Sequence, residues 1–250
     1  MRSKWLVGLL TVWMVYSSAA WADTLADLIQ RAEQGDAVAE TDLGTKYVIG
    51  DEVTIDYQEA EKWFRLAAQQ GNPLAQYHLG LMYVNGEGLP TNFKAAAEWF
   101  LKSAKQGDIP AQFNLGLMYI NGEGLPRQYQ EAFKWFRMAA EGGHAIAQVD
   151  LGLMYIRGEG VVKNPDEAVK WFRLSAEQGD ARAQYHLGLC YKEGDGVSRN
   201  GQAAYMWLTL AAAKGEDRAH KFLTELEVEL TPEQIVDARK NAAEWRPVLH

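Results

Sequence analysis

The chain copies itself at a fixed interval. Leu79-Gly80-Leu81-Met82-Tyr83, followed by Asn85-Gly86-Glu87-Gly88, returns as Leu115 to Gly124, as Leu151 to Gly160 and, with small changes, as Leu187 to Gly196. A degenerate copy starts at Leu43-Gly44, with Tyr47 and Gly50, and each Leu-Gly pair lies 36 residues after the last. A period of this size marks a stacked array, in which each unit touches only its neighbours and no single central core forms. The 250 residues are therefore read as one elongated body rather than as one or two compact domains.

Five units are expected, at 36–71, 72–107, 108–143, 144–179 and 180–215. Each opens with a helix-capping candidate directly after a glycine: Asp36, Asn72, Asp108, His144 and Asp180. The glycine suits the left-handed position that ends one helix, and Asp or Asn accepts hydrogen bonds from the first turn of the next; His144 is the weak member of the series. Helix A then carries Ala75, Leu79, Gly80 and Tyr83 on one face, at i, i+4, i+5 and i+8. A glycine costs about 1 kcal/mol in a helix interior, so its return at 80, 116, 152 and 188 implies close approach of a neighbouring helix. The loop Asn85 to Pro90 reverses the chain. Helix B starts at a second series of caps, Asp56, Asn92, Gln128, Asn164 and Asn200, and is expected to bury Ala96, Trp99, Phe100 and Ala104 and their equivalents.

This pattern specifies an all-α fold, a solenoid of antiparallel helix pairs in which stacking buries the apolar face that each pair alone would expose. Residues 23–35 read as an N-terminal capping helix. Residues 216–250 read as C-terminal capping helices: Thr224 replaces the repeat glycine, and Thr231-Pro232-Glu233-Gln234 is a capping box opening the last helix.

Residues 1–22 stand apart, with Arg2 and Lys4 before an apolar run and Ala20-Trp21-Ala22 before Asp23. The run is too short for a bilayer span and has the form of a secretory signal peptide, so a periplasmic or secreted protein, cleaved near Ala22-Asp23, is expected. Removal of Arg2 and Lys4 would take the formal charge from −8 to −10. Such an acidic chain lacks the basic stripe that nucleic acid requires and suits neither anionic lipid nor membrane insertion. Cys190 alone makes no intramolecular disulfide, and it holds the repeat position of Met82, Met118 and Met154, a core position.

The residues Ala75, Leu79, Gly80, Tyr83, Gly86, Gly88, Ala96, Trp99, Ala104 and Gly107, with their equivalents, form a pattern that resembles the Sel1-like repeat family, a subclass of tetratricopeptide-like α-solenoids. The resemblance spans about residues 36–230. It implies a right-handed superhelix that acts as an adaptor or scaffold for other proteins, frequently in bacterial envelopes, with helix A lining the concave side. The first unit departs from the pattern, because Asp51-Glu52-Val53 replaces Glu-Gly-Leu and Lys46 replaces a methionine.

The side of helix A opposite the shared face carries letters that change from unit to unit. It reads Leu74, Tyr77, His78, Leu81, Asn85; then Pro110, Phe113, Asn114, Leu117, Asn121; then Ile146, Val149, Asp150, Leu153, Arg157; then Arg182, Tyr185, His186, Leu189, Glu193. This stripe is the candidate groove for a partner protein or peptide, with Tyr77, Phe113 and Tyr185 as aromatic anchors. The four leucines either line it or complete packing between units. No cofactor or metal is expected: His78 and His186 lie three units apart, roughly 30 Å at ordinary helix spacing, and Gly86-Glu87-Gly88 follows a helix and lacks the Gly-Lys-Ser/Thr of a phosphate loop. A non-catalytic, monomeric binding protein is expected. The alternatives are the weak β-lactam hydrolysis linked to cysteine-rich members of the family and a secreted host-interaction role. The first is opposed by the single cysteine and by the missing Ser-x-x-Lys motif in the mature part.

Overall fold

The computed structural model describes residues 24–248; the expected signal segment, residues 1–22, lies outside them. Thirteen helices and no strand occur among the described residues. A short α1 (Leu25–Glu33) precedes five helix pairs: α2 (Ala37–Ile49) with α3 (Tyr57–Gln69), α4 (Pro73–Asn85) with α5 (Phe93–Ala104), α6 (Ile109–Asn121) with α7 (Tyr129–Glu141), α8 (Ala145–Arg157) with α9 (Pro165–Glu177), and α10 (Ala181–Glu193) with α11 (Gly201–Ala213). Two further helices, α12 (Ala219–Glu229) and α13 (Pro232–Glu244), close the array. Each helix A packs on helix B of its own unit and on helix B of the unit before it. The described chain is thus an all-α solenoid of stacked helix pairs.

Capping chemistry sets the unit boundaries. Asp36, Asn72, Asp108, His144 and Asp180 each accept a bond from the third residue of the following helix. His144 does so through Nδ1, 3.1 Å from the Ala147 amide, which fixes its ring as the neutral tautomer protonated on Nε2. In the second series Asp56, Asn92, Asn164 and Asn200 cap with their side chains. Gln128 makes no such bond, since its extra methylene carries the amide past the orphan N–H groups that an Asn would reach. Thr24 and Thr231 form full capping boxes with Asp27 and Gln234.

The recurrent helix-A glycine is where the two helices of one unit meet. A Cβ built on Gly116 would stand 2.5 Å from the Phe136 ring, and one on Gly152 would stand 2.5 Å from Phe172. The phenylalanines Phe64, Phe100, Phe136 and Phe172 are the largest fully buried side chains. They, and not the tryptophans beside them, fill the centre of the first four pairs, and Leu208 takes that place in the fifth. Trp99, Trp135, Trp171 and Trp207 are half-buried, contrary to the sequence expectation, and only Trp63 is buried. Trp99 packs back against the cluster of Phe64 and Leu79, and Trp135 against that of Phe100 and Leu115. An indole on that seam spans two units and keeps one edge in solvent, as its size favours.

The first loop keeps the turn of the others despite its changed letters. Glu52 stands where later units have glycine and is the one non-glycine residue with positive φ (61°) among those described. Lys46 bridges Asp51 and Glu52, each at 2.7 Å, and so ties down the strained turn. Cys190 is buried, and burial pushes its thiol up to about 12; it is a core side chain without thiolate character at neutral pH.

Candidate binding surface

Helix A is enclosed on more sides than a two-faced surface helix. It is sandwiched between two helices B and also borders the next helix A, so its buried arc exceeds the roughly 100° stripe of an amphipathic helix on a globular protein. Positions 77, 113, 149 and 185 pay the consequence. Phe113 is 8% exposed, Tyr185 7% and Val149 0%, so the expectation that Phe113 and Tyr185 project from an open groove is corrected: they are sealed between helices. Phe113 lies against Phe136 at 5.7 Å and stacks on His144 at 4.4 Å. Tyr185 lies under the Arg218 guanidinium at 4.5 Å. Tyr77 is half-buried against Phe100 at 5.8 Å; burial, reinforced by the Asp108 charge and opposed by a hydrogen bond with Asn114, pushes its phenol up to about 12.

The histidines of the stripe are also packing groups. His78 stacks on Phe64 of the preceding unit, centroids 4.7 Å apart and planes 12° apart. His186 repeats this on Phe172 at 5.2 Å and 19°. Burial lowers both pKa values to about 4, for His186 with help from Arg218 and Arg182, so both rings are neutral at pH 7. Asp150 holds the same register but points elsewhere, with Arg182 Nη2 3.1 Å from its Oδ1. Burial raises the Asp150 pKa, and the nearby Arg182 charge opposes that shift.

What remains open to solvent is a narrower stripe. Leu74, Asn85, Asn121, Arg157 and Glu193 are exposed, while Asn114, Asp150, Arg182, Leu81, Leu117, Leu153 and Leu189 are half-buried. The leucines do both things that the sequence left open. Each packs on an inter-unit core cluster, and Leu117 and Leu153 also border a pocket of about 140 Å³ between α6 and α8. Its other lining residues are Ile120, Phe136, Asp150, Met154, Arg157 and Glu159. Four of the eight lining positions are stripe residues.

Comparison with known proteins places this architecture. The Sel1 repeat model matches residues 37–72, 73–108, 109–144, 145–180 and 181–216. The chain belongs to the Sel1 repeat family. A protective antigen of uropathogenic Escherichia coli with the SLR fold shares 38% identity and a TM-score of 0.80, over 88% of this chain and 48% of the antigen. The chain thus spans about half the length of that relative. A Sel1 repeat protein from Oxalobacter formigenes shares 32% identity and a TM-score of 0.74, over 90% of this chain and 92% of its own. No curated protein matches by sequence.

Within the Sel1 array the structure also shows a ladder that the sequence reading passed over. Gln76, Gln112, Gln148 and Gln184 are buried and each donates to a carbonyl of the previous helix B, at Ala68, Ala104, Ala140 and Ala176. The signal was present as an Ala-Gln pair returning every 36 residues. Of the pocket, Ile120, Phe136, Met154 and Glu159 were not foreseen: Phe136 comes from helix B of the preceding unit and Glu159 from a loop, while Ile120 and Met154 lie on helix A outside the stripe. Among the described residues no group of His, Cys, Asp or Glu is placed to hold a metal ion. The stripe offers amides, guanidinium groups and apolar edges, which is the chemistry of recognition.

Proposed function

We propose that this Sel1 repeat protein is an exported scaffold that binds another protein, or a peptide segment of one, along the helix-A stripe and performs no chemistry of its own. The observation that carries this reading is the contrast along helix A. Positions that join the units barely change, whereas the exposed or half-buried stripe positions run Leu74, Asn85, Asn114 and Asn121 in one half and Asp150, Arg157, Arg182 and Glu193 in the other. Amides in the first half can pair with the backbone of an extended segment, and charges in the second can select its side chains. A rigid array holds these groups in place before the partner arrives, so little freedom is lost per contact.

Export rests on the Arg2, Lys4, apolar run and Ala20-Trp21-Ala22 pattern; fractionation of cells with N-terminal sequencing of the mature chain tests it, and a cytoplasmic, uncleaved protein would refute it. Binding is tested by crosslinked pull-down with wild type and with Asn121→Ala/Arg157→Ala. Loss of a discrete captured protein in the variant is expected. Undiminished capture would refute the stripe. The E. coli relative is described as a protective antigen, which favours a second reading, a protein displayed to a host. Detection in the medium or on the cell surface rather than in the periplasm would select it.

A further inference from the structure

The α6/α8 pocket has a counterpart in two other seams of the same chain, and there the chain fills it. At α4 the imidazole of His78 lies flat on Phe64, and at α10 that of His186 lies flat on Phe172. The equivalent phenylalanine under α8 is Phe136, and the equivalent of the histidine is Asp150. An Asp side chain is too short to cover a phenyl ring, and Arg182 holds Oδ1 at 3.1 Å. At the remaining seam Asn114 occupies this register and engages Tyr77. Under α8 this register carries Asp150, drawn to Arg182, and there a 140 Å³ space opens, with Phe136, Leu117 and Leu153 in its lining.

Its size decides what class of occupant fits. Sites for free small molecules run to roughly 300–1,000 Å³, so this one takes a single side chain. The geometry points to a ring side chain of the partner protein, an imidazole above all, inserted between Leu117 and Leu153 onto Phe136 with its ring N–H donated to Asp150 Oδ2. The chain's own His78 and His186 show that an imidazole stacks on this phenylalanine register, and an offset ring pair is stabilised beyond its area burial. Charge complements the fit. The Asp150 carboxylate is an acceptor in a half-buried wall, and a bond to a charged acceptor is about twice as strong as a neutral one. Arg157 and Glu159 stand at the lining as a loosely paired couple, 3.7 Å apart, able to part and engage the partner's flanking residues. This inference rests on the stripe being the partner surface and names the side chain it accepts.

The full chain, labelled at its Leu and Met methyls, is titrated with imidazole and, as an apolar probe without a ring, isobutanol. Imidazole is expected to shift the Leu117, Leu153 and Met154 methyls several-fold more than those of Leu81 and Leu189, and isobutanol to make no such distinction. Asp150→His lets the chain fill its own pocket: the Leu117 and Leu153 methyls should take on a ring-current shift, and the imidazole response should vanish. Asp150→Asn, which keeps the size, should weaken imidazole binding several-fold and guards against a histidine variant that misfolds. Equal responses at all seams, or an imidazole response unchanged in both variants, would overturn the assignment. Partner capture separates the two claims. If capture depends on Asn121 and Arg157 but survives Asp150→His, the pocket assignment falls and the stripe stands. If no stripe variant alters capture, both fall.

Discussion

Replacing Gly116 by alanine tests the packing rule on which the whole array depends. An ideal Cβ at 116 would lie 2.5 Å from two ring carbons of Phe136, against the roughly 3.5–4.0 Å of comfortable carbon contact. Phe136 is 2% exposed and borders the small pocket under α8, so either α6 withdraws from α7 by about 1 Å or the ring leaves its rotamer toward that space. Overpacking of this kind costs about 1–3 kcal/mol, while alanine regains up to about 1 kcal/mol of helix propensity. The expected net loss is about 1–2 kcal/mol. It is read by urea denaturation followed by circular dichroism, with amide exchange of α6 and α7 to detect local opening, since repeat arrays need not unfold in one step. Phe136→Ala removes the ring carbons that a Cβ at 116 would meet, so the double variant should lose less stability than the sum of the two singles, by roughly 1 kcal/mol. A Gly116→Ala protein as stable as wild type, with an additive double variant, would refute the close-approach argument.

Acid should weaken the fold through His78 and His186. Their folded pKa values of about 4 lie below the ordinary value near 6.5, so their contribution is present in full above about pH 6.5 and is lost as pH falls toward 4. The loss is discounted to about 1–2 kcal/mol each because both rings keep an exposed edge; His78→Phe/His186→Phe should flatten the fall in Tm over that range. Glu40 occupies the place of the buried glutamines and accepts from Gln70 at 2.7 Å. Its pKa is raised by desolvation, so it costs stability as pH rises, and Glu40→Gln should raise Tm at pH 7 by about 2–4 °C, a gain that shrinks toward pH 4. Gln128→Asn should supply the missing cap of α7 and stabilise the protein by roughly 0.5–1 kcal/mol, measured by thermal denaturation.

How much of this could be read from the letters depends on what each letter answers to. The caps at 36, 72, 108, 144 and 180 were legible because a helix start is a local event, settled by one side chain and three backbone amides. Gly80 and its equivalents were legible because a helix-interior glycine demands a neighbour, although the sequence did not say that the neighbour is phenylalanine. The tryptophans misled, since an apolar residue at helical spacing does not reveal whether it sits in the centre of a pair or on the seam between units. Phe113 and Tyr185 misled for a related reason. Their angular position is outward for a helix with one buried face, but helix A has neighbours on three sides, and that enclosure is a property of the stack. The pocket under α8 was not legible as a cavity, although four of its lining residues were in the stripe. It comes from the turning of Asp150 toward Arg182, a contact between residues 32 positions apart.

The central claim is that the open face of helix A is where a partner sits. A photoreactive amino acid placed in turn at Asn85, Asn121 and Arg157, and at Lys134 and Arg173 on helices B, reports this directly in cells that make the protein. All five side chains are exposed, so burial does not bias the comparison. A discrete crosslinked species from 85, 121 and 157, and none from 134 or 173, is the predicted result. Crosslinks from 134 or 173 with none from the helix-A positions would place the partner on the other face and contradict the account.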